Sequence, residues 1–474
     1  MMDPEGEENP SAVAPVQATG NKNDGQNLAK VFKTDFDAKY NIVDIQTPLN
    51  AFMSGQFKRS YAYTTLQNEL PVVLTKVIDS ITKEKNELVT QFAPNNFVQN
   101  SREELKIIIG LISRLKYELQ TDKPFQQFNG DEPDREQWNN FITHLPEDGR
   151  TFYRACWMHT QSYMYRKLHS FVENSIFLKE FDFFAKIKEH SLTRSQDAIL
   201  SLSKYTRRTE NNIEMFSELL KYNLWSNRND LEDNGAHIFN MHVLEDFTTL
   251  DDYIIANNAT DIWNCLCNKS NRHQVDIVLD SAGYELFNDF LLAEYIIEKG
   301  MADKVCFHVK AHPGFVSHAT ARDFHFTLEY LSNHADYIIS LLGQKFLEFY
   351  KEGKFELAAA SYFWTSPNAF HRMRSLEPEL YTNLQRSKLI IFKGDLNYRK
   401  LLSDVCWESS QDIKTCLGGF IPSNLCALRI IKSEVICGLR AGVCDDLLKQ
   451  EPQWMSSCSY GLIQYVDGSR EYGY

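Results

Sequence analysis

The sequence predicts an α/β protein in which a mostly helical region precedes a mainly parallel sheet covered by helices on both faces. From about residue 60 to 245, apolar residues recur at spacings of three and four and rarely alternate with period two. From about residue 275, short β-branched runs alternate with helical segments, which is typical of a parallel sheet. These two textures set the predicted architecture.

Three regions follow from this pattern. Residues 1–28 are rich in Gly, Pro, Asn and acidic residues and contain few large apolar groups. Such a segment buries too little surface to offset the entropy of ordering, so we predict a disordered tail. Residues 29–245 form the predicted helical region, and residues 246–474 form the predicted α/β/α domain.

Two segments of the helical region have distinctive signals. The first carries an amphipathic stripe made of Leu70, Val73, Leu74, Val77, Ile78 and Ile81. The second begins at Ser101 and has Glu104 three residues later, the spacing of a capping box. Further helices are predicted around 151–171 and 195–223.

Four strands are predicted in the second half, with a helix after the first that ends near Gly300. The strand candidates are Val275–Asp280, Lys304–Ala311, Lys388–Asp395 and Leu425–Val435. In parallel sheets of this kind, ligands bind beyond the carboxyl ends of the strands. The residues that follow these strands are therefore the first candidates for a site.

The candidate site residues at the strand ends combine acids with bases. Asp280 and Asp395 end two strands, His318 lies in the loop after another, and Lys393 and Lys432 adjoin apolar runs. Carboxylates are ligands for hard cations and can act as acids or bases, while lysines and helix N-termini bind phosphate. This combination points to a divalent metal with a phosphorylated substrate.

A simpler interpretation accounts for each of these residues separately. Asp280 could cap the helix that begins near Gly283, and Asp395 could form a turn with Asn397. His308 and His312 have the spacing of a zinc pair on a helix, but they flank a strand and a proline, so we interpret them as ordinary histidines.

Composition narrows the class of protein. The net charge is −13, from 50 basic and 63 acidic residues, which argues against broad nucleic-acid binding. Ten scattered cysteines form no disulfide framework, and no run of about 18 apolar residues occurs. We expect a protein of the cytoplasm, with the nucleus as a further location, that has no membrane span and no nucleic-acid partner.

Four further segments resemble a known family. "VLDSAGYELFNDFLLAEYI", "FVSHATARDF", "IIFKGDLNYRKL" and "LCALRIIKSEVICGL" occur in this order. They resemble the metal-dependent damage-control phosphatases, in particular the branch of sugar-phosphate phosphatases that includes protein-glutamate methyltransferase-like proteins. The resemblance extends from about residue 50 to 466.

The resemblance implies an α/β/α domain with a Rossmann-like sheet and a bound divalent metal, Mn²⁺ or Ni²⁺ first, with Co²⁺ or Mg²⁺ as alternatives. It implies hydrolysis of small phosphorylated metabolites such as fructose 1-phosphate and fructose 6-phosphate. A second activity attributed to the branch is carboxyl methylation of protein glutamates with S-adenosylmethionine. The motifs fit phosphate and metal better than a methyl donor.

The resemblance assigns the metal ligands to Asp280, Ser281 and His318. The family pattern has Asn at the second position and Asp at the third, so two of the three depart from it. A serine hydroxyl is a weaker ligand than an amide oxygen, and histidine suits Mn²⁺ or Ni²⁺ better than Mg²⁺. A non-catalytic descendant that retains the phosphate pocket is therefore the alternative to an active enzyme.

The phosphate side of the site follows the family pattern more closely. The implied substrate-binding residues are Asp395, Leu396, Asn397, Tyr398, Arg399, Arg429 and Lys432. In the "RTxK" signature, which falls on 429–432, Ile430 replaces the hydroxyl residue. Asp280 and Asp395 are the implied catalytic residues, Tyr398 is expected to shape the sugar pocket, and Glu285 is the residue that methyl-donor binding would use.

Overall fold

The structure is a computed structural model that describes residues 34–92, 97–206, 212–226 and 246–468. It confirms the α/β class, with helices before a seven-stranded sheet that is mainly parallel. The predicted tail, residues 1–28, lies outside the described residues. The boundary predicted near residue 245 remains a prediction.

Nine α-helices precede the sheet in the described part of the chain. They are α1 (Asp35–Tyr40), α2 (Tyr61–Thr64), α3 (Leu70–Phe92), α4 (Val98–Gln120), α5 (Arg135–His144), α6 (Trp157–Glu173), α7 (Ala185–Arg194), α8 (Gln196–Thr206) and α9 (Ile213–Trp225). A single π-helical turn, Thr65–Glu69, joins α2 to α3. The predicted stripe of α3 is confirmed, since Leu70, Leu74, Val77 and Ile81 are buried.

The capping box predicted at Ser101 is wrong. Helix α4 begins at Val98, with Phe97 at the cap position, so Ser101 lies inside the helix. The Ser101 hydroxyl donates to the carbonyl of Phe97. The Glu104 carboxylate instead accepts the main-chain N–H groups of residues 176 and 177, at 2.6 and 3.0 Å.

Within residues 246–468, seven strands and nine further α-helices form the second half. The strands are β1 (Ile254–Asn257), β2 (Gln274–Val278), β3 (Lys304–His308), β4 (Phe355–Leu357), β5 (Leu389–Lys393), β6 (Leu425–Ile430) and β7 (Gly461–Val466). The helices are α10 (Ala259–Cys267), α11 (Tyr284–Glu298), α12 (Ala321–Ser332), α13 (Tyr337–Lys351), α14 (Met373–Leu376), α15 (Pro378–Leu384), α16 (Gly394–Leu401), α17 (Ile413–Cys416) and α18 (Val443–Gln450).

The strand order, β1-β7-β6-β5-β2-β3-β4, places a topological switch at the centre of the sheet. From β2 the chain proceeds outward to β3 and β4, whereas from β5 it proceeds the other way to β6. Strands β2 and β5 are parallel neighbours, and β7 pairs antiparallel with β6. Ligands of open α/β sheets bind in the crevice at such a switch, beyond the carboxyl ends of the two strands.

The four predicted strands are confirmed as β2, β3, β5 and β6, each shorter at its carboxyl end than predicted. Strands β1, β4 and β7 were not predicted. Helix α11 follows β2 and ends before Gly300, which has a φ of +65°, as the predicted stop requires.

Both faces of the sheet are covered by apolar cores. Ile277 and Ile391 point to one face, where they pack with helices that include α9, α11 and α13. Val278 and Phe392 point to the other face, toward the segments that follow β4 and β6. A third core joins α3, α4 and α6. Among the described residues, none of the helices has the length and apolar character that crossing a bilayer requires.

Candidate active site

The first predicted ligand, Asp280, follows β2 at the central switch of the sheet. Its buried side chain lies against Gly394, the first residue of α16. A Cβ on Gly394 would fall 2.0 Å from Oδ2 of Asp280, and φ at Gly394 is +79°. Both facts require glycine. The ends of the two central strands therefore meet at this pair of residues.

His318 is held beside Asp280 by the loop that follows β3. Ser281 and His318 form an isolated antiparallel bridge, and the N–H of Ala319 donates to the Asp280 carbonyl at 2.8 Å. The Nε2 atom of His318 lies 3.3 Å from Oδ1 of Asp280. The imidazole ring of His318 stacks on the Phe315 ring, with ring centroids 4.6 Å apart. The predicted metal ligands are thus adjacent in space.

The second predicted acid, Asp395, occupies the first turn of α16 and does not form the turn with Asn397 that was the simpler alternative. Two guanidinium groups hold it. Arg429 approaches Oδ1 with Nε at 2.9 Å and Nη2 at 2.8 Å, and Arg399 places Nη1 3.7 Å from Oδ2. Asp404 in turn fixes Arg399, with Nε to Oδ1 at 2.6 Å. Asp395 is therefore fixed in position at the start of a helix.

Protonation in this region is set by burial and by nearby cations. Burial alone would raise the pKa of Asp280, but His318, Lys310 and Lys432 together lower it to about 2. Burial lowers the pKa of His318, and this effect outweighs the opposing influence of Asp280. Asp280 is thus favoured as an anion and His318 as a neutral imidazole, which are the states in which both can bind a metal.

A cavity of about 1150 Å³ opens above these residues, between the helical region and the sheet. Its wall contains seven of the predicted site residues, namely Asp280, Ser281, His318, Asp395, Leu396, Arg399 and Lys432. Aromatic rings of Tyr61, Trp157, Tyr165 and Phe315 form another part of the wall. Charged groups of both signs and aromatic surface therefore face one space.

Four predicted site residues lie behind this wall. Asn397 donates to the carbonyls of Val278 and Leu279, each at 3.2 Å, and so braces the end of β2. The Tyr398 hydroxyl donates to Gln464 at 2.8 Å, deep in the core. Their side chains support the strand ends, and a role for either in binding substrate remains a prediction.

Arg429 and Glu285 are the other two. Arg429 is fully buried, reaches the cavity through Asp395, and lies over the Tyr398 ring at 4.5 Å. Glu285 is buried on α11, where Lys393 donates to it at 2.8 Å and to Asp289 at 2.8 Å. The predicted interaction of Glu285 with a methyl donor remains untested, but its observed partner is a lysine.

Three residues near the site were missed by the sequence analysis. Tyr61 and Glu69 belong to segments predicted only as helical, and both line the cavity. Lys310, just past β3, is buried and donates to Oδ1 of Asn397 at 2.9 Å. Burial lowers the pKa of Lys310 to about 8, against the opposing effect of Asp280. The predicted strand Lys304–Ala311 included Lys310, and because the strand ends at His308, Lys310 instead lies just beyond its carboxyl end.

A separate group of potential metal ligands lies inside the sheet. Asp276, Cys306 and His308 are all buried, and one ligand atom of each lies within 4.8 Å of the others. However, Asp276 already accepts hydrogen bonds from His308 at 2.7 Å, from Gln274 at 2.9 Å, and from Ser387. These bonds satisfy the carboxylate without an ion.

The donors at the strand ends fit a divalent metal. The 3.3 Å separation of the Asp280 and His318 donor atoms lets both contact one ion, because metal–ligand distances near about 2.1 Å place neighbouring ligands roughly 3 Å apart. Ser281 lines the same cavity, and its hydroxyl lies 3.0 Å from the Ser317 hydroxyl. One carboxylate, one imidazole and one hydroxyl suit Mn²⁺, Co²⁺ or Ni²⁺ better than Mg²⁺.

Comparison with known proteins relates this chain to one protein family. Residues 65–447 match the model of the damage-control phosphatase ARMT1-like domain. A damage-control phosphatase ARMT1 from Xenopus tropicalis is 35% identical over 438 residues, which cover 87% of this chain and 98% of that protein. The human protein of the same name is 34% identical, with coverage of 88% and 98%.

A solved structure of a DUF89 family protein from Pyrococcus horikoshii is also similar, at 14% identity and a TM-score of 0.38, covering 78% of this chain and 93% of that one. The match of the domain model extends over most of the chain, and the identity to the curated relatives extends over nearly their whole length. The chain therefore belongs to the family defined by the damage-control phosphatase ARMT1-like domain.

Proposed function

We propose that this protein is a metal-dependent phosphatase that hydrolyses small phosphorylated metabolites, with fructose 1-phosphate and fructose 6-phosphate as the first candidates. The observation that carries the proposal is the shared cavity wall, where Asp280 and His318 face the same space as Asp395 and Lys432. Its relatives are named damage-control phosphatases, so a phosphoric monoester hydrolase is the activity that family membership implies.

Asp280, His318 and Ser281 would hold the metal. A divalent ion bound there would neutralise phosphate charge and lower the pKa of a coordinated water. The substitution of His for the family's Asp removes one negative charge, so we expect a weaker site than in relatives that follow the pattern. Mn²⁺ and Ni²⁺ are the expected ions because imidazole is one of the ligands.

The remaining oxygens of a bound phosphate would face cations of this chain. Lys432 supplies a charge next to Asp280, and the first turn of α16 points its N–H groups toward the cavity end of β5. Arg399 supplies a guanidinium that also lies 3.3 Å from the Trp157 ring. Asp395, fixed by Arg429, orients this assembly or acts on the attacking water.

A sugar is consistent with the rest of the wall. Tyr61, Trp157, Tyr165 and Phe315 offer aromatic faces, and Gln161 offers an amide. Aromatic rings provide rigid apolar surface with a polar edge, which suits the mixed C–H and hydroxyl surface of a hexose. Tyr398, which was expected to do this, is buried away from the cavity wall. Cytoplasmic and nuclear locations remain proposals.

The methyltransferase alternative receives less support from the structure. Glu285 is buried beneath the strand ends and is paired with Lys393. Its carboxylate would have to give up that partner to bind a methyl donor. The buried lysine would then be left with one counter-charge fewer, which is unfavourable. The non-catalytic alternative is motivated by Ser281 and His318, and it is one outcome of the following test.

The test measures phosphate release from fructose 1-phosphate, fructose 6-phosphate and p-nitrophenyl phosphate with Mn²⁺, Ni²⁺, Co²⁺ or Mg²⁺. We expect metal-stimulated release that falls at least about 10²-fold in Asp395→Asn, because the carboxylate that orients the assembly or acts on the attacking water is lost. Asp303→Asn is the matched control, since Asp303 is exposed just before β3, at the end of the strand opposite to the candidate site.

Release by the natural sequence that survives in Asp303→Asn and is lost in Asp395→Asn supports the proposal. Release only after the double change Ser281→Asn/His318→Asp would identify a non-catalytic binding protein. Equal activity in both aspartate variants would contradict the role of Asp395.

A further inference from the structure

Besides Asp280 and Asp395, the cavity wall contains a carboxylate, Glu69, in a segment of unusual geometry. Glu69 is the last residue of the π-helical turn Thr65–Glu69, which interrupts an otherwise continuous helical run from Tyr61 to Phe92. The extra residue per turn in a π-helix redirects side chains, and such turns occur frequently at functional sites. Glu69 is half-buried and belongs to the cavity wall.

The partners of Glu69 place it at the same end of the cavity as the predicted catalytic acids. Its carboxylate is hydrogen-bonded by Tyr61, and Lys432 and Tyr165 also lie within electrostatic range of it. The Tyr61 ring packs edge-on against Trp157, with ring centroids 5.7 Å apart, and the Arg399 guanidinium that pairs with Asp395 lies over the same Trp157 ring. Lys432, the other neighbour, interacts electrostatically with Asp280. Glu69 is therefore linked to both strand-end acids through shared neighbours.

The three carboxyl groups have different surroundings. Asp280 lies among His318 and two lysines, which lower its pKa to about 2. Asp395 is bound by the Arg429 guanidinium. Burial raises the pKa of Glu69, and the opposing effects of Tyr61 and Lys432 do not cancel the rise. When the pKa values of neighbouring acids are set apart in this way, the acid with the raised pKa is suited to donate a proton.

We propose that Glu69 is the general acid that protonates the leaving oxygen of the phosphate ester, an inference that rests on the proposed phosphatase function. The bond between phosphorus and the ester oxygen breaks, and its electron pair stays on that oxygen, which takes the proton of the Glu69 carboxyl. A water adds its hydroxide to phosphorus. The proton that this water releases restores the Glu69 carboxyl, so the products are an alcohol and inorganic phosphate.

This role predicts a dependence on the leaving group. An alkoxide such as that of fructose 1-phosphate needs a proton as it leaves, whereas p-nitrophenolate is stable as an anion. In Glu69→Gln we expect kcat/KM with fructose 1-phosphate to fall by about 10²-fold or more, the usual contribution of a general acid. With p-nitrophenyl phosphate we expect a change of less than about threefold, because no proton is required.

Two control variants distinguish a general acid at Glu69 from a residue that only supports the cavity wall. Glu84→Gln changes the same residue type on α3, the helix that continues from the π-helical turn; Glu84 also lines the cavity but pairs with Lys186 at 2.9 Å, so this change should leave both substrates unaffected. Tyr61→Phe removes the hydrogen bond but keeps the carboxyl, and it should not reproduce the dependence on leaving group. Thermal unfolding of each variant establishes that it is folded.

The outcomes are distinct. A selective loss with fructose 1-phosphate supports the assignment. Equal loss with both substrates, or no loss with either, overturns it and leaves the phosphatase function intact. If the natural sequence hydrolyses p-nitrophenyl phosphate but no alkyl phosphate, the assignment fails alone. If it hydrolyses neither, the proposed function fails and this assignment fails with it.

Discussion

Replacing Lys393 by methionine should destabilise the protein strongly, because the lysine is the shared partner of two buried acids. Its Nζ donates to Glu285 and Asp289, each at 2.8 Å, and all three side chains are at most 1% exposed. Each hydrogen bond to a charged group contributes about 1.5–3 kcal/mol. Removing one partner of a buried ion pair costs about 3–5 kcal/mol, so we expect a loss in this range.

The loss should depend on pH in a defined direction. Burial raises the pKa of Glu285 and of Asp289, and Lys393 opposes this rise. Without the lysine, the folded-state pKa values of both acids rise further above their values in the unfolded chain, which are about 4. The stability that protonation of these two acids contributes is lost as the pH rises through their folded-state pKa values. The difference between variant and natural sequence should therefore be larger at pH 8 than at pH 5.

Urea unfolding followed by circular dichroism measures this free energy at both pH values. Lys304→Met is the matched control, because Lys304 pairs with Glu356 at the surface and should cost less than about 1 kcal/mol. Adding Glu285→Gln and Asp289→Asn to Lys393→Met should restore part of the stability, since no uncompensated charge then remains. A loss below about 1 kcal/mol, or one that is equal at both pH values, would refute this account of the buried group.

Three other predictions concern the site itself. His318→Asp adds a second carboxylate and should tighten Mn²⁺ binding at least about tenfold by calorimetry, whereas unchanged or weaker binding would contradict the ligand assignment. Gly394→Ala should cost more unfolding free energy than Gly353→Ala by about 1 kcal/mol or more, because both have positive φ but only the first meets a neighbour, Asp280. The lowered pKa of Asp280 contributes stability above about pH 4 that is lost as pH falls toward about 2, so Asp280→Asn should flatten the thermal stability profile over that interval. A profile as steep as that of the natural sequence would exclude this contribution.

The sequence predicted the centre of the sheet better than its edges. Strands β2 and β5 are buried on both faces and rich in Val and Ile, despite Gln274 and Asp276 in β2 and Lys393 at the end of β5, so each has a clear signal. Strand β4 has only three residues, and β1 has four with one exposed end, so neither carries a comparable pattern. The capping box failed because a local spacing does not reveal that Glu104 accepts hydrogen bonds from residues 72 and 73 positions later.

Prediction of the site had a similar limit. The rule that ligands lie beyond strand ends located Asp280, His318 and Asp395, which the structure brings to one cavity. The same rule could not separate residues that face the cavity from residues that brace it, such as Asn397 and Tyr398. Glu69 was not predicted as a site residue. The apolar spacing of the adjoining helices continues through the π-helical turn, so the sequence pattern gives no sign that the Glu69 side chain is redirected.

The hydrogen bond from the Tyr61 N–H to Glu434 has a consequence for folding kinetics. It joins residues 373 positions apart, and the same two parts of the chain contribute Tyr61 and Lys432 to the cavity. Contacts of such long sequence separation are slow to form, because most of the chain must be ordered before the two ends can meet. Recovery of ligand binding during refolding should therefore follow the slowest phase and should lag behind the recovery of helical signal.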